Sequence, residues 1–330
     1  MAYMKIKPTD TLFFRGGKPF NAGSDSWSDS SLLPNPSVIW GAMFGVLYNE
    51  KKVTTADKEK LKIKNIYLYN EKQTMILTPS PLDIFVDSDN KKYIAKYRNV
   101  DFISNYDLPV VSEVETEEEV KTLENHFIEI NSLYEHYIYG YSKNLILYNF
   151  DDVFVADYKI GIKINKVKQT AQDSHLYRID LTQFHNEWSF LIEYESEVEF
   201  KESGVLKLGG EGKSASYQQI ETPIGLQSAN VAKARMEEKL QNKNYFKVLF
   251  TTPTYFKCGW QPQKEGLLCA NVGKALSIGG WDMENKTHKA MKKYIPAGSV
   301  YVFEKKDELK FELEDDEAYK GFGSFELLTI

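Results

Sequence analysis

Cysteine and long apolar runs are scarce in this sequence. The two cysteines, Cys258 and Cys269, stand eleven residues apart without a CxxC motif or paired histidines. That spacing argues against a zinc site or a disulfide framework and predicts buried free thiols in a reducing compartment. No apolar stretch approaches the roughly 18 residues of a membrane span, and the first ten residues lack the apolar core of a signal peptide. We therefore expect a soluble, cytoplasmic protein with no membrane contact.

Sequence motifs for catalysis are also missing. The sequence has no GxSxG elbow, no P-loop and no metal-ligand cluster, which predicts no metal and no cofactor. General acid–base catalysis near neutral pH is most often carried by histidine. The five histidines are dispersed. His288 lies among lysines and could touch a phosphate, but no second catalytic residue stands beside it.

The charge is moderately acidic, with a formal net charge of -6 at pH 7. A protein that coats nucleic acid indiscriminately needs a broad positive field, so this class is disfavoured. Acidic runs and a lysine cluster at 286–293 are segregated along the chain. This separation of acidic and basic residues fits a protein with one local basic face. For any single run, a solvated surface is the simpler explanation.

The stretch Lys5–Tyr48 organises the chain. The residues Ile6–Phe14 predict an opening strand. The composition of Arg15–Asn35, rich in glycine and serine, predicts a loop. The residues from Pro36 onwards predict a helix with one apolar face. A glycine-rich loop before a helix start often holds an anion. Arginine is scarce, and Arg15 beside two glycines is a candidate for a phosphate or base contact. Pairing of Arg15 with Asp10 or Asp25 is an equally good interpretation.

Further elements follow from apolar patterning. Strands are predicted at 63–69, 75–77, 188–194, 245–250, 275–280 and from Val300, helices at 230–240 and within 113–127, and an insertion on the core fold at 80–135. The tyrosines of Tyr134–Tyr148 could stack on unpaired bases, but a half-buried strand is favoured. Residues 158–181 predict a basic hairpin. Gly209, Gly210 and Gly212 predict a tight turn between two strands.

Several motifs resemble one family. They are DTLFFRGGKPF at 10–20 followed by LPNPS, KxTAxDSHLYR at 168–178, LGGEGKxA at 208–215, IGGWD at 278–282 and PAGSVY at 296–301. Together they resemble the RAMP superfamily of CRISPR systems. More narrowly, they resemble the type III-B (Cmr-type) effector subunits that hold the 5′ handle of the guide RNA.

The resemblance implies an α+β fold of two ferredoxin-like (RRM-like) domains with glycine-rich loops and insertions, at residues 1–222 and 223–330. It implies a non-catalytic scaffold that grips the crRNA 5′ handle and, through it, meets target RNA. The implied protein partners are the large polymerase-like subunit and backbone RAMP subunits. A crRNA-processing endoribonuclease and the equivalent type III-A subunit remain alternatives.

The RNA-binding residues expected from these motifs and from local charge are spread over five parts of the chain. Glycine loops let an RNA backbone approach closely, and basic side chains hold its phosphates. The expected residues are Arg15, Lys18, Asn21, Lys168, Arg178, Gly209, Gly210, Gly212, Lys213, Ser214, Gly279, Gly280, Trp281, Lys286, Lys289, Gly321 and Gly323.

Overall fold

The computed structural model describes residues 1–14, 16, 27–28, 33–100, 108–164, 171–282, 286–306 and 313–330. In these ranges the fold is mixed α/β, with mostly antiparallel strands and few helices. The helices are α1 (Pro36–Asn49), α2 (Ile130–Glu135), α3 (Phe150–Val153) and α4 (Ile224–Gln241), with 3₁₀ turns at Thr55–Lys60, Tyr137–Tyr139, Ser142–Asn144 and Ala318–Lys320.

An eight-stranded sheet dominates the first part of the chain. The strands of this part are β1 (Ala2–Pro8), β2 (Trp27–Ser28), β3 (Leu61–Asn70), β4 (Met75–Pro79), β5 (Ile84–Val86), β6 (Lys92–Ile94), β7 (Lys96–Asn99), β8 (Val110–Glu113), β9 (Lys121–Thr122), β10 (Phe127–Glu129), β11 (Leu147–Tyr148), β12 (Phe154–Ile164), β13 (Ala171–Phe184), β14 (Trp188–Ser196), β15 (Ser203–Lys207) and β16 (Ser214–Ile220). The large sheet has the order β11-β10-β4-β3-β14-β1-β16-β15. The long hairpin β12–β13 forms a separate sheet with β2.

The large sheet is covered on both faces, and alternate side chains of a strand enter opposite cores. Met4 of β1 and Ile192 of β14 pack with α1 in one core. Tyr3 and Leu191, each one residue away, pack with α2 and α4 in the other. The sheet therefore separates the α1 side of the molecule from the α4 side.

The second part of the chain adds a smaller antiparallel sheet to the α4 side. Its strands are β17 (Tyr245–Phe250), β18 (Thr254–Tyr255), β19 (Leu267–Asn271), β20 (Leu276–Ile278), β21 (Trp281–Asp282), β22 (Thr287–His288), β23 (Lys292–Ile295), β24 (Val300–Glu304) and β25 (Phe325–Thr329). Four of them form a sheet in the order β19-β24-β17-β25. Phe246 and Val248 of β17 share the apolar core of α4, so the two sheets are joined by one continuous core.

A buried ion pair ties the 80–135 insertion to this second sheet. Lys247 Nζ of β17 lies 2.7 Å from Asp83 Oδ2, and both side chains are almost fully buried. The hydroxyl groups of Tyr97 and Tyr137 each donate to the same carboxylate at 2.7 Å. Burial, with the Asp83 charge next in weight, raises the pKa of both tyrosines. They therefore remain hydrogen-bond donors.

Most of the long strands and helices expected from the sequence are confirmed. The helix beginning at Pro36, the strands at 63–69, 75–77, 188–194 and 245–250, and the basic hairpin are all present. The charged helix at 230–240 is also present but begins earlier, at Ile224. A strand follows Val300, and another ends the chain.

Four expectations are wrong. The opening strand runs from Ala2 to Pro8, because the chain then leaves β16 and Leu12 pairs with Thr182 of β13 instead. No helix occupies 113–127, where Leu123 and Phe127 pack in opposite cores of the sheet and so cannot share one helical stripe. Residues 134–148 form α2 and 3₁₀ turns more than strand. Cys258 is exposed, whereas Cys269 is buried as expected.

We expect Lys247→Met to lower the free energy of unfolding by about 3–5 kcal/mol, because it leaves the Asp83 carboxylate buried without its cation. The matched control is Lys72→Met, which removes an exposed lysine paired with Glu187 at 2.8 Å. Urea unfolding of both full-length variants measures the difference. Equal midpoints for the two variants would contradict a structural role for the buried pair.

Candidate functional site

Three segments that are distant in sequence meet at one end of the large sheet, on its α1 side. They are the chain after β1 at residues 9–14, the hairpin β12–β13, and the loop between β15 and β16, which we call the glycine loop (208–213). Lys213 Nζ lies 2.8 Å from Asp10 Oδ2 and 3.0 Å from Thr11 Oγ1. Lys159 of the hairpin contacts Glu211 at 3.4 Å.

Glycine is required in this loop because the loop backbone lies directly against Phe13. Gly209 has φ +83°, and a Cβ there would lie 2.7 Å from the Phe13 carbonyl oxygen. The Gly210 N–H donates to that same oxygen at 2.9 Å, and the Lys213 N–H donates to Gly210 O. The tight turn expected from the sequence is confirmed. The N–H groups of Leu208, Gly210 and Lys213 thus all donate to backbone carbonyl oxygens of the protein.

The hairpin presents an ordered arginine. The Arg178 guanidinium lies 4.4 Å from the centre of the Tyr158 ring, and its Nε is 2.7 Å from Asp180 Oδ1. The β13 backbone at Arg178 pairs in parallel with β2 at Trp27. The backbone of Trp27–Ser28 therefore lies beside the hairpin. An arginine held over an aromatic ring keeps a planar face for a phosphate or a base.

Asp10 balances the charge of Lys213. The hydrogen bond from Lys213 holds the pKa of Asp10 below its usual range, and the Thr11 backbone N–H at 2.6 Å adds to this effect. Asp10 is therefore ionised at neutral pH and fixes the lysine beside the end of β1. The alternative in which Asp10 holds Arg15 involves a residue outside the described part of the chain.

A second group of expected residues lies at the C-terminal end of the chain. Gly280 O accepts from the Lys289 N–H at 2.9 Å in the β21–β22 hairpin. Lys289 Nζ contacts Glu317, which also pairs with Lys320 at 2.6 Å, and Lys292 lies 3.3 Å from Asp315. The acidic run at 315–317 thus offsets part of the predicted basic cluster, while Lys286 is exposed.

The loop with Gly321 and Gly323 packs against α1. Gly321 has φ +95°, and a Cβ there would meet Ile63 at 2.7 Å and Pro36 at 3.5 Å. Lys320 lies over the Trp40 ring of α1, 5.3 Å from its centre. This second group therefore adjoins the start of α1, whereas the glycine loop adjoins Phe13.

The remaining expected site residues have limited description. Arg15, Lys18, Asn21 and Lys168 lie outside the described residues, and Trp281 is described by its backbone alone. Gly212, with φ +72°, and Ser214, the first residue of β16, complete the glycine loop. Sequence reasoning did not single out Tyr158, Glu211 or Glu317. A register assignment that paired Tyr158 with Asp180 could have suggested the Tyr158–Arg178 contact.

Within the described residues, His, Cys, Asp and Glu side chains form no group of three or more that could hold a metal ion. No helix in the described part of the chain is both long and apolar enough to cross a membrane.

A protein-family model described as "CRISPR-associated protein (Cas_Cmr3)" matches residues 4–330. The chain belongs to this family. The resemblance to Cmr-type subunits of the RAMP superfamily is thereby confirmed. The Cas_Cmr3 match includes both the glycine loop and the second group of site residues.

Individual Cas_Cmr3 relatives are distant. The chain is 24% identical over 232 residues to the CRISPR system CMR subunit Cmr3 of Saccharolobus solfataricus, a match that covers 66% of this chain and 63% of the relative. The match thus spans less than two thirds of that relative's length.

Solved structures share the fold. A chain in a cryo-EM structure of the type III-B Cmr-beta bound to cognate target RNA and AMPPnP matches with a TM-score of 0.53 at 17% identity, over 91% of this chain and 86% of that one. A second Cmr-beta structure, bound to cognate target RNA, matches with a TM-score of 0.52 at 17% identity over the same shares.

We expect Gly209→Ala to destabilise the protein more than Gly212→Ala. Both positions have positive φ, which costs about 1–2 kcal/mol for a residue with a side chain. Only at Gly209 does the new methyl group also collide with backbone, since the space around Gly212 is open. Thermal unfolding of both variants tests the close approach to Phe13. An equal loss of stability would contradict it.

Glu317 predicts a pH dependence of stability. Burial opposes its ionisation, but hydrogen bonds from Lys289 and Lys320 outweigh burial and hold the pKa of Glu317 below its usual range. A lowered pKa stabilises the fold at neutral pH, and this contribution is lost as the pH falls below about 4.3. We expect Glu317→Gln to lower stability at pH 7 and to flatten the acid limb of the curve. Parallel curves for the variant and the wild type would contradict this assignment.

Proposed function

We propose that this chain is a non-catalytic, cytoplasmic RNA-binding scaffold subunit of a type III-B CRISPR effector complex and that it grips the crRNA 5′ handle. One observation carries the proposal. The segment after β1, the Arg178 hairpin and the glycine loop converge on one surface in a member of the Cas_Cmr3 family. Single-stranded RNA is held by splayed bases and phosphates, which need such a combination of ordered cations and closely approaching backbone.

The proposed partners follow from the same family. The two Cmr-beta structures with this fold are described as bound to cognate target RNA. For this chain we propose crRNA as the direct ligand, with target RNA met through it. We further propose the large polymerase-like subunit and the backbone RAMP subunits as protein partners.

For the architecture we propose two ferredoxin-like domains, at 1–222 and 223–330. Two sets of four antiparallel strands support this division, β16-β1-β14-β3 and β25-β17-β24-β19. When the four strands of each set are numbered by their order in the chain, they lie in the sheet in the order 4-1-3-2. This is the strand order of a β-α-β-β-α-β fold. Loops and strands replace several of the helices of that fold.

A crRNA-processing endoribonuclease and the handle-binding subunit of a type III-A complex are the competing functions. The IGGWD and PAGSVY segments favour type III-B over type III-A. The processing alternative needs a general base near the RNA. Among the segments that converge here, residues 9–14, Phe154–Ile164 and 208–213 contain no histidine, whereas strand β13 of the hairpin contains His175.

The deciding experiment uses the purified full-length protein, with and without its large-subunit partner. A labelled RNA with a CRISPR-repeat 5′ handle is compared with a scrambled RNA, and both are analysed on a gel for cleavage. We expect binding selective for the handle, no cleavage, and tighter binding with the partner present. Specific cuts in the repeat would contradict the scaffold function and support the crRNA-processing function.

Within this assay we expect Arg178→Gln and Arg15→Ala to weaken handle binding about tenfold while the protein remains folded. Arg98→Gln is the matched control, since Arg98 pairs with Glu113 at 2.5 Å and is about as exposed as Arg178. Arg98 lies on β7 of the insertion. A similar loss from all three substitutions would indicate a general charge effect and would contradict a specific site.

A further inference from the structure

An exposed pair of tyrosines lies on the α4 side of the large sheet and takes no part in the proposed handle site. Tyr134 and Tyr137 are buried, whereas the side chains of Tyr139 and Tyr141 are 49% and 58% exposed. Gly140 between them has φ +75°, and the Tyr141 N–H donates to His136 O at 3.0 Å. This turn brings the two rings together, with centres 6.0 Å apart and planes inclined by 31°.

Lys239 of α4 holds Tyr139 in place. Its Nζ lies 5.0 Å from the centre of the Tyr139 ring and donates to the Tyr139 hydroxyl at 3.0 Å. This contact positions the ring beside α4, and a positioned ring loses less entropy on binding. A flat aromatic surface that is both solvent-accessible and pre-ordered is suited to stacking.

Basic residues, interspersed with the exposed Glu237 and Glu238, extend from this pair along α4. Arg235 stands one helical turn before Lys239 on the same stripe. Lys243 follows the helix, with its N–H donating to Leu240 O at 3.2 Å. Lys305 Nζ reaches the Gln241 carbonyl at 2.8 Å at the same end. From Arg235 to the end of α4 at Gln241 the helix rises about 9 Å, at about 1.5 Å per residue, and Lys243 follows just beyond it.

We propose that Tyr139, Tyr141 and the row Arg235, Lys239 and Lys243 form a second site, for single-stranded nucleic acid. Bases stack on the tyrosine rings, and the row holds the phosphates that follow. Stacking of this kind tolerates any sequence because every base has a π-face. An acidic peptide would use the cations but would have no need for two accessible rings at stacking distance.

The proposed second site is separate from the handle site. The handle site adjoins the core that contains α1, and the tyrosine pair adjoins the core that contains α4, with the large sheet between them. The two sites therefore make independent predictions. Loss of one site leaves binding at the other unchanged.

The test measures fluorescence anisotropy of labelled 12-nucleotide oligo(U) and oligo(dT), both without a handle, with the full-length protein at low salt. We expect the double variant Tyr139→Leu/Tyr141→Leu to bind roughly tenfold more weakly per ring lost. The double variant Tyr139→Phe/Tyr141→Phe keeps both rings and should bind within about threefold of the wild type. Binding of both probes would indicate phosphate and base recognition, and preference for oligo(U) would add 2′-OH contacts.

Controls keep the result interpretable. Tyr48→Leu alters a tyrosine of α1 that is 50% exposed on the other side of the sheet, and we expect no effect on oligo(U) binding. Lys239→Gln/Lys243→Gln should reduce the salt dependence of binding by about two phosphate contacts. Urea midpoints confirm that the variants are folded, and handle affinity should stay at the wild-type level in all of them.

The proposal is overturned if the wild-type protein does not bind the handle-free probes. It is also overturned if the leucine double variant binds them as tightly as the wild type, or if Tyr48→Leu weakens binding equally. In those cases the exposed pair would be a docking surface for protein or an ordinary solvated surface.

Discussion

Antiparallel pairing of β1 with β14 is the constraint on which the rest of the structure depends. Tyr3 pairs with Glu193 and Met4 with Ile192, so residues from opposite ends of the first 200 positions become neighbours in the centre of the sheet. A slip of one residue would exchange the two faces and place Met4 in the core of Tyr3. The register of β1 against β14 therefore decides which face of the sheet α1 covers and which face α2 and α4 cover.

The two faces then acquire different roles. The segment after β1, the hairpin and the glycine loop converge on the α1 face, at one end of the sheet. The opposite face shares its apolar core with the second sheet, and Lys247 and Asp83 add a buried charge pair across that junction. Replacing such a pair with apolar residues can be neutral, whereas losing one partner is costly.

Both proposed nucleic-acid surfaces contain a cation packed on an aromatic ring. Arg178 lies over Tyr158 on the hairpin, and Lys239 lies over Tyr139 beside α4. The partners of each pair lie far apart in the sequence or on opposite strands of the hairpin. An overall acidic protein can in this way present small, ordered basic surfaces without a broad positive field.

The sequence by itself determined the long elements and the family. Apolar periodicity identified α1, α4, β3 and β14, because each buries a regular stripe or a continuous run, and the glycine motifs identified the turn at Gly209. It could not determine the insertion, where Leu123 and Phe127 pack in opposite cores, or the turns that separate buried Tyr137 from exposed Tyr139. Tertiary structure alone decided that Lys213 meets Asp10 and that Glu317 pairs with Lys289. Those contacts depend on strand register and on packing between distant segments, which local patterns do not encode.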